Sequence, residues 1–314
     1  MSGHDHGREY AKWDDRVRAH LAARAADPGW TAYVLGLWEH HLESGFVKDH
    51  FVRELTKGED GPFFQRIWEM MVGRHMLGCG FNVVSPSQDG RPDFRCEKDG
   101  CATWVEASCI TAGQDPALAP DADWLCSSGH VPLENILLRW ANALDAKIKQ
   151  AKAHRAAGII APKDRYIIAI NGGLIAAGNY GFGVSRHPFV VETTMAVGAL
   201  QFSYDRETLA FKGAAHQVRT HALKENKSTV QTAVFYNKEN AGICALVGCG
   251  SLRVEGPSLP LLVAHNPHAE CPIPPGHLGA CTREWTAHFT GRDVEASYWE
   301  IVEITEKSST PMPT

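Results

Sequence analysis

The sequence lacks any uninterrupted apolar run of about 18 residues, the length needed for a bilayer-spanning helix. Its opening stretch, MSGHDHGREYAKWDDR, has no apolar segment of the kind found in a secretory leader. A cytoplasmic protein with no membrane partner is the expectation. Nor is there an excess of charge of one sign: 31 Lys and Arg stand against 36 Asp and Glu, a formal net charge of −5. That excludes a protein that coats nucleic acid through overall basicity, though not one that acts on it through a local patch. Internal repeats and long low-complexity linkers are absent. The nine cysteines form no dense spacing pattern. Cys79, Cys109, Cys244 and Cys249 lie in apolar segments where a thiol packs as a small hydrophobe, so reduced thiols are expected. No Gly-x-Ser-x-Gly elbow occurs, and Gly172-Gly173 opens no phosphate-binding fingerprint, which disfavours serine hydrolase and nucleotide-binding readings.

What is present is a chain of 314 residues, 44% hydrophobic and 21% charged, enough for a large core. Residues 8 to 78 read as helical, in the segments AKWDDRVRAHLAARA, TAYVLGLWEHHLESGFVKDHFVRELTKG and PFFQRIWEMMVGRHML, with Pro62 in the first turn of the last and Gly78 and Gly80 at its end. The texture then changes to short runs rich in β-branched and aromatic residues: FNVVSP, PDFRCE, ATWVEASCI, YIIAIN, ICALVG, LPLLVAH and a final SYWEIVEIT expected at a sheet edge. One helix, VPLENILLRWANALDAKIKQAKAHRAAG, intervenes between the third strand and YIIAIN. The class is therefore α/β. We divide it into an N-terminal helical region, 1–60, and an α/β domain, 61–314, expected to pack together. Residues 175 to 230 carry no readable pattern.

The stretch Arg91 to Ser108 carries the chemistry. Asp99-Gly100 between two strand-like runs predicts a two-residue type I′ hairpin turn. That turn pairs Lys98 with Cys101, Cys96 with Thr103 and Asp93 with Glu106, setting two carboxylates about 5 Å apart. Unpaired, they repel. A divalent cation removes the conflict, and an oxygen-only site of this kind suits Mg²⁺ or Mn²⁺. Ser108 shares the face of Glu106, while Val105 and Ala107 point the other way, toward a core.

Pro92-Asp93 followed by Glu106-Ala107-Ser108, with Glu69 on the preceding helix, resembles the PD-(D/E)xK nuclease superfamily. The order helix, strand, hairpin, helix, strand over the motif core 62–171 matches as well. The resemblance implies a restriction-endonuclease-like mixed sheet flanked by helices and Mg²⁺-dependent hydrolysis of phosphodiester bonds. DNA is the implied partner, restriction or defence the implied context, and a homodimer is compatible with it. It also implies a metal held by Glu69, Asp93, Glu106 and the Ala107 carbonyl. The sequence departs at the motif Lys, where Ser108 stands; some members recruit a Lys from the next helix.

On that helix Ile136, Trp140, Ala143, Lys147, Gln150 and His154 share one narrow sector, apolar in its first half and polar in its second. Lys147 is the candidate replacement for the absent Lys. Gln150 is expected to position water or metal, because Gln150-x-x-x-His154 resembles a Gln-x-x-x-Tyr element of some of these nucleases. Between 145 and 165 six Lys or Arg face two Asp, so Lys149, Lys152, His154 and Arg155 are candidates for a phosphate backbone. Two alternatives stay open. One is a catalytically inactive nuclease-fold module that binds nucleic acid or protein, which the Ser108 departure favours. The other is a zinc site in the Pro-rich loop containing His265, His268, Cys271, His277 and Cys281, although that spacing matches no common zinc pattern.

Overall fold

The computed structural model describes residues 3–24, 27–84, 90–119, 131–175, 182–224, 227–253, 259–280, 282–289 and 299–304. Four helices come first: α1 (Gly3–Arg24), α2 (Pro28–Glu43), α3 (Asp49–Leu55) and α4 (Asp60–Gly78). The single helix expected over residues 31 to 58 is two, broken where Ser44 caps α2 and Gly45 takes a positive φ of 72°. Next come β1 (Asn82–Val84), β2 (Phe94–Lys98) and β3 (Cys101–Thr111), then α5 (Leu133–Ala156), β4 (Arg165–Leu174) and α6 (Phe189–Glu192). The hairpin has the expected register. Cys96 faces Thr103, Lys98 faces Cys101, and both turn residues have positive φ, 52° at Asp99 and 73° at Gly100.

Residues 175 to 230, unreadable in sequence, hold two hairpins outside the main sheet: β5 (Val197–Tyr204) with β6 (Phe211–Val218), and β7 (His221–Leu223) with β8 (Thr229–Gln231). β9 (Ala245–Cys249), β10 (Leu262–His265), β11 (Arg283–Phe289) and β12 (Trp299–Ile304) follow. One eight-stranded mixed sheet runs β1-β2-β3-β4-β9-β10-β11-β12, so β12 is an edge strand as expected. β3 pairs parallel to β4, and β4 parallel to β9. Among the described residues no helix is long and apolar enough to cross a membrane.

Strand alternation divides the core into two layers. Val105, Ala107, Ile167, Ala169 and Val247 pack with the buried faces of α1 to α4. Trp104, Tyr166, Ile168, Ile170 and Leu246 pack with α5 and α6. The N-terminal helices thus share an apolar cluster with the sheet. Close approach on the α5 face needs a glycine: a Cβ on Gly248 in β9 would collide with Val190 and crowd Trp140.

One buried acid lies away from the hairpin. Glu192, at the end of α6, is fully enclosed, and its Oε1 accepts from the Ser185 amide at 2.6 Å and the Ser185 hydroxyl at 2.5 Å. Burial pushes its carboxyl up to about 7. The folded state therefore keeps a proton that the unfolded chain releases near pH 4.5, and stability falls as pH rises from there to about 7. Glu192→Gln is expected to remove this slope, gaining about 3 kcal/mol on the wild type between pH 4 and pH 8. Urea unfolding at the two pH values measures it; equal slopes in both proteins refute it.

Candidate active site

β2 begins only at Phe94, opposite Val105, because Pro92 has no amide to extend the ladder in the other direction. Beyond that point the edge of β3 is completed by side chains. Asp93 Oδ2 accepts from the Ala107 amide at 2.7 Å. Gln65, from α4, accepts from the Cys109 amide at 2.7 Å and donates to the Ala107 carbonyl at 3.1 Å and to Glu69 Oε1 at 2.8 Å. The helix that carries Gln65 is itself pinned to the sheet by Trp68, whose indole donates to the Ala169 carbonyl at 3.0 Å.

Three acids meet here, Glu69 and Glu106 buried and Asp93 half-buried. Glu69 pairs with Arg66 at 2.5 Å, and Arg66 also reaches Glu54 at 2.7 Å. Burial, reinforced by the Asp93 charge, raises the Glu69 pKa, and burial with the Glu106 charge raises that of Asp93. Glu106 is raised by burial against the opposing pull of Lys147. Lys147 Nζ reaches across from α5 to lie 2.6 Å from Glu106 Oε1 and 3.3 Å from Gln150 Oε1. The second oxygen, Glu106 Oε2, is buried, with the enclosed hydroxyl of Tyr166 on β4 and the Gln150 side chain beside the carboxylate. Burial raises the Tyr166 pKa, and Glu106 is the leading charge acting on it.

A cleft of about 470 Å³ opens beside Asp93 and Glu69. Lys48 and Arg53, at the start of and within α3, line it together with Arg66 and Arg91, so cations frame the acids.

The expected residues divide into two sets. Asp93, Glu106, Lys147, Gln150 and Glu69 are brought together, and the Ala107 carbonyl lies within the cluster, already accepting one hydrogen bond from Gln65. Ser108 is half-buried on β3. The cleft is lined by Asp93 and Glu69 but not by Glu106, Lys147 or Gln150, nor by the α5 residues expected on a phosphate backbone. Lys149 pairs with Asp145 at 2.8 Å, Lys152 stands 3.9 Å from Glu239, and His154 is buried. Arg155 corrects the expectation most clearly. Its guanidinium donates to the carbonyls of Ala161, Asp164 and Gly242, at 3.2, 3.0 and 2.7 Å, and is used up inside the fold.

The loop expected as a zinc alternative disperses its ligands. His265 pairs with Glu284 at 2.7 Å, His277 with Asp99 at 3.2 Å, and the Cys271 thiol donates to the Pro162 carbonyl at 3.7 Å. The His268 amide donates to Asn266, and Cys281 lies outside the described residues. Among the described residues no three His, Cys, Asp or Glu side chains approach closely enough to hold a metal ion.

Gln65, Arg66, Tyr166 and the α3 cations were missed in sequence. The Gln65 and Glu69 spacing, i and i+4 on one helix face, was a readable signal; the α3 cations gave none, because nothing local ties them to the hairpin. Compared with known protein families, curated proteins and solved structures, the chain matches none.

Proposed function

We propose that this chain is a divalent-metal-dependent nuclease of the PD-(D/E)xK type acting on DNA, with restriction or defence as its setting. One observation carries the reading: the Lys147 ammonium, from the following helix, sits 2.6 Å from Glu106, supplying beside the acid pair the cation that the hairpin lacks at Ser108. The run α4, β1, β2, β3, α5, β4, with β3 and β4 parallel, supports the restriction-endonuclease-like assignment.

The residues fit a hard divalent cation. Asp93 and Glu106 are neighbouring carboxylates whose pKa values burial raises, an oxygen-only pair of the kind a hard cation relieves. These two acids would hold the ion with the Ala107 carbonyl, while Glu69, engaged by Arg66 and Gln65, would act through water. When bound, such an ion neutralises phosphate charge and acidifies an attacking water. The chain does the rest. Lys147 offers positive charge to the oxygen that becomes negative at phosphorus. Gln150 steadies the Lys147 amine. Asp93 and Gln65 fix the β3 backbone on which Glu106 is mounted, and the cations of the cleft hold flanking phosphates.

Lys147→Met is expected to lower Mg²⁺-dependent plasmid cleavage by about a hundredfold or more, the scale of losing one transition-state donor. Unchanged cleavage refutes the role of Lys147. A second reading, a nuclease-fold module without activity, is favoured by the absence of a tight three-ligand cluster among the described residues. Calorimetric titration with Mg²⁺ and Mn²⁺ separates the two: no heat at millimolar metal supports the module.

A further inference from the structure

The β5–β6 hairpin is anchored in the α5-side core by Val197 alone among its strongly buried apolar side chains and projects from it. It pairs with no strand of the main sheet, and beyond Gly198 every residue of β5 is exposed. Two-stranded ribbons are marginal in water on their own, yet this one is firmly built at both ends. At its tip Asp205 Oδ1 accepts from the amides of Glu207 and Thr208 at 3.0 and 2.9 Å, and Asp205 pairs with Lys212 at 2.7 Å. At its base the Arg219 amide donates to the Ala196 carbonyl at 2.6 Å, and the Arg219 side chain pairs with Glu134 on α5.

The two faces of the ribbon differ. Leu200, Phe202 and Tyr204 alternate along β5 and stand opposite His216, Ala214 and Phe211. The rings of Phe202 and Tyr204 contact Phe211 at centroid distances of 6.5 and 5.7 Å, which places all three on one side. The opposite side carries Gln201 facing Ala215, and Ser203 facing Gly213. Phe202, Tyr204 and Phe211 are 59, 58 and 59% exposed.

A fully accessible aromatic side chain presents roughly 150–250 Å², so these three rings leave on the order of 350 Å² of apolar surface open. Leu200 on the same side, Leu209 at the tip and Val218 at the base, all exposed, extend this to roughly 600 Å², at the upper end for a monomer's largest patch. A stable pair buries about 800 Å² per partner, with the polar rim making up the balance.

We propose that this face is where two copies of the chain associate, Phe202, Tyr204 and Phe211 of one packing on the same residues of the other about a twofold axis. Charge argues for this occupant. The hairpin carries Asp205, Arg206, Glu207 and Lys212, as many acids as bases, all at or near its tip. It has no row of cations to follow a phosphate backbone and no basic cluster for an anionic bilayer. An apolar face with no net charge can meet its own copy without like-charge repulsion, as an isologous contact requires. The inference stands independently of the nuclease reading.

Sedimentation velocity on the full chain tests it. At about 10 µM the wild type is expected to run as a dimer, and Phe202→Glu to weaken association by about a hundredfold or more. Its melting temperature should not change, because the side chain lies outside both core layers. Gln201→Glu, on the opposite side of the same strand, should leave the dimer intact. A monomeric wild type overturns the proposal, as does a dimer indifferent to Phe202→Glu or equally sensitive to Gln201→Glu. Monomers that co-sediment with phosphatidylcholine vesicles also overturn it, and assign the face to lipid.

Discussion

Asp93→Asn is expected to abolish Mg²⁺-dependent DNA cleavage, by about a thousandfold or more, in a protein that melts at the same temperature as the wild type or higher. The two halves of this result have separate causes. The Asp93 carboxylate is held against burial and against the Glu106 charge, both of which raise its pKa. Replacing it with an amide removes that conflict. The Asn side-chain oxygen can still accept from the Ala107 amide, so the tie between β2 and β3 survives. In the proposed site it would remove one of two anionic ligands for a hard cation, and with it the charge neutralisation that cleavage would require. Glu106→Gln should be equally inactive but less stable, because it leaves the Lys147 ammonium without its anionic partner. A plasmid-nicking assay beside a thermal melt reads both quantities. Cleavage retained in Asp93→Asn and Glu106→Gln would falsify the proposed activity.

Arg155→Ala should do the reverse, destabilising the protein by about 2–4 kcal/mol while leaving DNA affinity per folded molecule unchanged. Arg155 sits in the last turn of α5, and its guanidinium gathers carbonyls from the loop before β4 and from the segment before β9. Removing it leaves these acceptors unpaired, at a cost of about 1–3 kcal/mol for each one that water does not reach. Arg53→Ala, in the cleft, is the contrasting change. Arg53 is well exposed and, among the described residues, pairs with Asp49 one turn away, at 3.3 Å, so the denaturation midpoint should hold while binding weakens and the salt dependence flattens. The midpoint in urea and the slope of affinity against salt distinguish the two variants. If Arg155→Ala keeps its midpoint and loses affinity, the basic stretch of α5 is a nucleic-acid surface after all.

Local signals were the legible ones. The Asp99-Gly100 turn fixes the hairpin register from Lys98 and Cys101 to Phe94 and Val105 through backbone conformation alone; the expected Asp93–Glu106 pair lies one step past the ladder, where Asp93 instead binds the Ala107 amide. Helical periodicity likewise put Lys147 and Gln150 on one stripe of α5, which the structure turns toward Glu106. Arg155 failed for a related reason: periodicity says where a side chain points, but not that two loops supply carbonyls to meet it. The α3 cations reach the acids only through the packing of the N-terminal helices on the sheet, a long-range fact. In the β5–β6 hairpin the alternation Leu200, Phe202, Tyr204 is plain in retrospect. A ribbon exposed on both sides has no buried face in its sequence pattern to tie it to the rest of the chain.

The side chains that complete the edge of β3 have a further consequence, for folding cooperativity. Asp93 is at once a member of the acid cluster and the last hydrogen-bond partner of a strand, and Gln65 ties the next amide to α4. Fraying of β2 would therefore dismantle the cluster at the same moment. No partly open form would keep three acids, a lysine and their shared backbone in register. The Ala107 and Cys109 amides are natural reporters of this coupling, because their exchange with solvent deuterium should proceed at one common rate, that of releasing the site itself.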